Sequence, residues 1–191
     1  FDQLVDDSLI EPSPLEDESP GDASPIIEIL PKVTVEGPQS DVIRQALGAA
    51  AVDSDDANLM LYTVEDYLDP SLEQINAQMI AENKRWMLAK PMGETIWIGP
   101  VFTPGESACW ACLAERLRGN RVVNGFLENI GRVLNATNET LDESLQASVA
   151  GLVADQAARI SSGTSQLDST LLSLETQNLN SRKHYVSRLR E

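Results

Sequence analysis

Apolar residues along this chain switch between two periods, and the switches mark out the elements. Ile26 to Leu30 and Lys32 to Glu36 are short β-rich runs, and Gly37-Pro38-Gln39-Ser40 turns the chain. Ser40 is placed to N-cap a helix carrying Val42, Ile43, Ala46, Leu47 and Ala50 on one face. Asn58 to Val64 is nearly continuously apolar, as expected of a strand in a parallel sheet covered by helices on both faces. Asp69-Pro70 then opens a second helix, with Asp at the cap and Pro in the first turn, burying Leu72, Ile75, Met79 and Ile80. Arg85 to Lys90 and Thr95 to Phe102 read as further strands, the first parallel to its predecessor. A helix entered at the two cysteines follows. Leu141, Leu145, Val149, Leu152 and Ile160 then form the packing stripe of a long amphipathic helix, and Thr170 to Thr176 is a last strand-like run. A βαβαβ order of this kind predicts an α/β fold: a mostly parallel, Rossmann-like sheet flanked by helices.

The amino end breaks this pattern. Residues 12–25 combine prolines, acids and small polar residues with almost nothing to bury, so the entropy of ordering them outweighs any gain, and they read as an acidic, Pro-rich linker. Residues 1–11 carry Phe1, Leu4, Val5, Leu9 and Ile10 at helical spacing and read either as the end of a module that lies upstream or as a frayed terminal helix. The folded body is expected over residues 26–191. The first residue is Phe, not Met, consistent with a fragment or a processed chain.

Charge narrows the list of partners. The 191 residues have a formal net charge of −16, which argues against nucleic acid, since phosphate neutralisation needs a broad basic face. No apolar run approaches the roughly 20 residues that cross a bilayer, and no basic-then-apolar signal opens the chain, so a cytoplasmic protein with no membrane partner is expected. The one locally basic stretch is Asn180 to Arg190. Its Arg182, Lys183, Arg188 and Arg190 form either a docking strip on an otherwise acidic molecule or the charges that guard an exposed edge strand.

Three places could carry chemistry. Cys109 and Cys112 are the only cysteines, and C-x-x-C spacing puts them on one helix face or one helix-entry turn. A redox dithiol, half of a structural zinc site and packed thiols all remain open, the thioredoxin-like reading being the poorest because that motif expects its own strand before the first Cys. The turn at Gly37 stands where a nucleotide fold cradles phosphate, yet Pro38 lacks an amide hydrogen, Asp41 repels anions and the further glycines are missing. It reads as a degenerate nucleotide site kept for structure. The acidic cluster Glu65 to Asp69 lies at the carboxyl end of a strand, where open α/β sheets place ligands, but helix capping by Asp69 with solvated neighbours is the preferred reading. His184, the sole histidine, has no serine or cysteine elbow near it in sequence and is assigned a surface or packing role. No catalytic constellation stands out.

Two blocks bear a resemblance to a known family. Thr63-Val-Glu-Asp-Tyr-Leu-Asp-Pro-Ser-Leu-Glu-Gln-Ile-Asn76 and Trp97-Ile-Gly-Pro-Val-Phe-Thr-Pro-Gly-Glu-Ser-Ala-Cys-Trp-Ala-Cys-Leu-Ala-Glu-Arg-Leu117 resemble the ThiF-like cyclodehydratase component of thiazole/oxazole-modified peptide (bacteriocin) biosynthesis. The stretch from Leu171 to Leu189 is similar to the family segment that leads into a second C-x-x-C pair, which this chain does not contain. The resemblance implies a ThiF-like domain over residues 26–191 whose ATP site has been lost. It implies a structural zinc with Cys109 and Cys112 as two of its ligands, and residues 1–11 as the remnant of a winged-helix element that grips the leader peptide. It also implies a YcaO-type partner holding the ATP, a precursor peptide as substrate, and homodimerisation. On that footing the chain is a non-catalytic scaffold of a peptide cyclodehydratase. The readings set beside it are an active ATP-using adenylating enzyme of the ThiF class and an inactive structural remnant.

Overall fold

A computed structural model describes residues 30–128, 142–164 and 167–188. Six strands form one sheet in the order β1 (Val33–Glu36), β2 (Leu59–Thr63), β3 (Trp86–Lys90), β4 (Thr95–Phe102), β5 (Thr170–Glu175) and β6 (Ser181–Tyr185). Helices α1 (Ser40–Leu47) and α4 (Glu143–Ser161) pack on one face, while α2 (Ser71–Ala81) and the start of α3 (Trp110–Glu128) pack on the other. The fold is therefore α/β. The suggested linker and terminal element, residues 1–11 and 12–25, and the run Ile26 to Ile29 lie outside the described residues.

The sheet is mixed rather than mostly parallel. β1, β2 and β3 are parallel to one another, as the apolar run of β2 requires, but β3–β4, β4–β5 and β5–β6 are antiparallel. Connection length explains two of the three reversals. Only Pro91 to Glu94 separates β3 from β4, and only Thr176 to Asn180 separates β5 from β6. A parallel return needs a crossover of about a dozen residues or more.

Every residue of β2 is buried. Val33, Val35, Leu59, Leu61, Met87 and Ala89 point to one face, where Val149, Ala150, Val153, Ala154 and Ala157 of α4 cover them. The alanines of α4 bring its backbone close to the strands. Asp142 accepts the Leu145 amide at 2.8 Å to cap the start of that helix, and the Ser161 hydroxyl accepts the Lys32 amide at 2.8 Å near its end. Arg85 donates to the Ile160 carbonyl at 3.0 Å, placing a cation at the negative end of the helix. On the other face Met60, Tyr62, Trp86, Leu88 and Phe102 meet Leu72 and Met79 of α2 and Trp110, Leu113 and Ala114 of α3. The expected helix faces hold with three exceptions, the first being Ala46, which is exposed on α1 while Ile43 and Leu47 are buried. Ile80 and Leu152 are about half exposed because each lies past the edge of the buried stripe, and Leu141 lies outside the described residues.

Ser40 does not cap α1. It begins the helix, and the residue before it, Gln39, takes a left-handed conformation (φ 62°) with no side-chain cap. The reason lies in Gly37, at φ 103°, which packs against the end of β2. A Cβ on Gly37 would stand 2.1 Å from the Thr63 carbonyl oxygen. Gly37→Ala should therefore lower stability by about 3 kcal/mol, combining a disfavoured φ with a backbone clash. Gly105→Ala, at φ 81° but with nothing within 4 Å, should cost only about 1 kcal/mol. Equal costs in urea denaturation would remove the Thr63 contact from this account.

Two buried phenols tie stability to alkaline pH. Tyr67 is fully enclosed and donates to the Gly99 carbonyl at 2.6 Å, and burial pushes its phenol well above the usual range. Tyr62 is pushed from 10.0 up to about 12 by burial, then by the charges of Glu36 and Glu82. Folding holds both phenols protonated where the unfolded chain releases the proton. Their contribution to stability is whole below pH 10 and is lost as the pH rises through the folded values. Urea midpoints should fall between pH 10 and 12, and less steeply in Tyr62→Phe; a flat profile in the unmodified chain would contradict the assignment.

Candidate functional site

Both cysteines sit where β4 hands over to α3. After β4 the chain makes a turn that ties itself shut. The Thr103 amide donates to the Ser107 hydroxyl at 2.7 Å, and the Ser107 amide donates to the Thr103 carbonyl at 3.0 Å. Thr103 also reaches Asp168 through its hydroxyl at 3.0 Å, and Asp168 faces Arg85 at 3.5 Å. This brace delivers Cys109 to the position before the first residue of α3 and Cys112 to its first turn, so the pair occupies a helix entry rather than a shared helix face. Cys109 is half-buried and Cys112 is buried.

The two sulfurs are 3.6 Å apart. Thiolates held at zinc–sulfur distance on two corners of a tetrahedron stand about 3.8 Å apart, so the pair fits half of a zinc site in both chemistry and spacing. No group of three or more His, Cys, Asp or Glu side chains comes together for a metal among the described residues. The thiols border a cavity of about 510 Å³ whose wall includes Trp86, Phe102 and Arg188. Beside them Trp110 is buried, donating its indole N–H to the Tyr67 carbonyl at 2.9 Å, while its amide donates to Asn76 at 3.2 Å. Trp110 is thus an anchor of the helix entry, as its apolar ring indicates.

The basic tail divides. Arg182 and Lys183 lie on β6, all of whose residues are exposed, and as neighbours in a strand they point to opposite faces of the sheet. His184 shares the Arg182 face and meets the Ser173 hydroxyl at 2.9 Å. Past β6 the chain turns inward. Val186 is buried and its amide donates to the Ser169 carbonyl at 2.7 Å. Arg188 then donates to the Ser107 carbonyl at 3.0 Å, within the turn that carries the cysteines. Arg188 therefore does not form one strip with Arg182 and Lys183, and Arg190 lies outside the described residues. The meeting of Arg188 with the cysteine turn joins positions 81 apart in the chain, and nothing in local sequence announces it.

At the other candidate site, the turn after β1 is filled from within. The Thr63 hydroxyl lies 2.6 Å from the Pro38 carbonyl and 3.0 Å from the Glu36 carbonyl, so it donates into the turn, and its own carbonyl lies against Gly37. Thr63 thus occupies the inside of the turn. In the acidic cluster, Asp69 is not itself the N-cap of α2, a position Pro70 holds with no side-chain cap bond; one residue earlier, Asp69 accepts the Ser71 amide at 2.8 Å and hydroxyl at 2.6 Å. Those bonds hold its carboxyl below the usual range. Asp66 accepts the Leu68 amide at 2.9 Å. Glu65 and Asp69 also line a second cavity, with Glu36 and Tyr62.

No helix among the described residues is long and apolar enough to cross a membrane. No family model matches the sequence, and no curated protein does. Solved structures do. The chain is similar to a heterocyclase in complex with substrate and cofactor, at 26% identity over 84% of this chain and 24% of that one, with a TM-score of 0.68. It is similar to the heterocyclase TruD at 30% identity, over 84% of this chain and 27% of that one, with the same TM-score. A structure of E. coli MccB with AMPCPP and MccA shares the fold, at 11% identity over 83% of this chain and 64% of that one, with a TM-score of 0.55. The chain thus spans about a quarter of the length of the heterocyclases it matches, and its structural neighbours are heterocyclases and MccB.

Proposed function

We propose that this chain is the ThiF-like, Rossmann-type scaffold of an azoline-forming peptide cyclodehydratase, which positions a precursor peptide for a YcaO-type partner and leaves the ATP-dependent chemistry to it. The observation that carries this reading is the likeness to two heterocyclase structures across 84% of the chain at a TM-score of 0.68. The filled turn supports the non-catalytic part. A phosphate site is built from free backbone amides at a helix start, and here Pro38 has none while Thr63 packs into the turn. Arg182 and Lys183, exposed on the outermost strand, are the cations best placed to meet an acidic surface of the partner.

Cys109 and Cys112 supply two ligands of a structural zinc in this proposal, with the remaining ligands contributed from outside the described residues. Such a metal, when bound, ties the entry of α3 to whatever segment brings those ligands. Arg188, bonded to the cysteine turn, shows that the chain beyond β6 already runs to this place.

Mixed with the YcaO-type protein encoded beside it and with the precursor peptide, the chain should raise the rate of azoline formation, read as the loss of one water mass per ring. Replacing Arg182 and Lys183 together by Ala should weaken that stimulation about tenfold. No binding and no stimulation would reject the scaffold role, and ATP–pyrophosphate exchange by the chain alone would replace it with the adenylating one. Titration with Co²⁺ should give a thiolate-to-metal charge-transfer band that Cys109→Ser/Cys112→Ser lacks. A chain with both cysteines that shows no band would remove the metal from the proposal.

A further inference from the structure

Strand β6 ends the sheet on its antiparallel side, and every one of its residues is exposed. Its backbone has an inner and an outer edge. The Asn180 carbonyl accepts from the Glu175 amide at 2.9 Å, and the Val186 amide donates to the Ser169 carbonyl at 2.7 Å. An antiparallel ladder exchanges bonds at every second pair, so in this register Arg182 and His184 bond inward to Ser173 and Leu171. Ser181, Lys183 and Tyr185 therefore turn their amides and carbonyls outward, along an edge that no strand among the described residues covers.

The side chains along this edge supply an independent observation. Leu179 and Tyr185, at its two ends, are 70% and 75% exposed. Between them Arg182 and Lys183 point to opposite faces, and among the described residues neither enters an ion pair. Two unneutralised cations on a chain of net charge −16, set between an aliphatic and an aromatic side chain, make the mixture that protein interfaces favour.

The same charges select the occupant. Antiparallel pairing of two β6 strands about Lys183 would set Lys183 against Lys183 and Arg182 against His184, and like charges directly opposite are destabilising. A second copy is therefore a poor fit. A strand with two adjacent acids is a good one, because consecutive side chains point to opposite faces and so meet Lys183 and Arg182 together. Apolar residues on either side of the acids then cover Leu179 and Tyr185.

We propose that β6 takes up a further strand in trans: an extended segment of a partner protein with two adjacent carboxylates flanked by apolar residues. Its backbone bonds to Ser181, Lys183 and Tyr185 give affinity, and the acid pair fixes its register. This rests on the docking role given above to Arg182 and Lys183 and states how the partner engages them. A binding measurement needs no cyclisation, so failure of strand addition and failure of azoline stimulation are separate results.

The probe is the heptapeptide acetyl-Val-Thr-Asp-Glu-Thr-Thr-Val-amide, titrated into the ¹⁵N-labelled 191-residue chain. It should shift the amides from Ser181 to Tyr185 and slow hydrogen exchange several-fold at Ser181, Lys183 and Tyr185, while Arg182 and His184, already bonded to β5, change little. N-methylation of one set of alternate peptide amides should abolish binding and of the other set should leave it, because only one edge of an added strand faces β6. Asn and Gln in place of the two acids should weaken binding about tenfold. Arg182→Gln/Lys183→Gln should do the same, with the rest of the spectrum unchanged as evidence of folding. Binding indifferent to both methylation patterns would mean side-chain contact without an added strand, and slow exchange at the outward amides that is lost on dilution of the peptide-free chain would mean self-pairing. Either result, equal binding of the neutral peptide, or no shift along β6 would overturn the proposal.

Discussion

The contact between Gly37 and Thr63 is the constraint on which the functional half of this molecule depends. A side chain at position 37 would collide with the backbone carbonyl at the end of β2, so the turn after β1 lies directly on β2 with the Thr63 hydroxyl bonded into it. This closeness has three consequences. Thr63 fills the inside of the turn. Helix α1 starts from the left-handed Gln39 rather than from a Ser40 cap. And the ends of β1 and β2 are held in register, which brings Glu36 and Tyr62 together at the mouth of a cavity.

Around that constraint the sheet is divided by how its strands are joined. The parallel part, β1 to β3, is covered by helices on both faces and has the continuous apolar strands such burial requires. The antiparallel part runs out to an exposed edge at β6. An edge strand invites pairing with another chain, and Arg182 and Lys183, the residues proposed for docking, are exposed there. The cysteine turn lies between the two parts, braced by Asp168 and by Arg188 from beyond β6. A perturbation at the edge strand therefore has a short covalent path, Tyr185 to Arg188, to the thiols.

Much of the fold was legible because it follows from local pattern. The burial of β2, the helix opened by Asp69-Pro70, the amphipathic stripe of α4 and the helix entry at the cysteines all follow from residues within a few positions of one another. The mixed character of the sheet was also encoded, in the short links after Lys90 and Glu175, but strand direction depends on link length rather than on the strands' own composition, and the apolar runs of β3 and β4 look alike in either sense. The capping of α1 could not be read, because it is decided by Thr63, a residue 26 positions from Gly37.

At the sites, residue types and spacing by themselves determined which atoms could act: two thiols one helix turn apart, a glycine turn short of amides, acids at a strand's end and a basic tail. Tertiary structure alone decided what those atoms face. It set the sulfurs 3.6 Å apart, drew Arg188 into the cysteine turn and away from Arg182 and Lys183, and set Glu36 opposite Tyr62. The physical reason is range. Propensity, capping and periodicity act over a turn of helix or a few strand residues, whereas a site is a meeting of side chains from distant segments, fixed only when the sheet's register and the packing on its two faces are fixed.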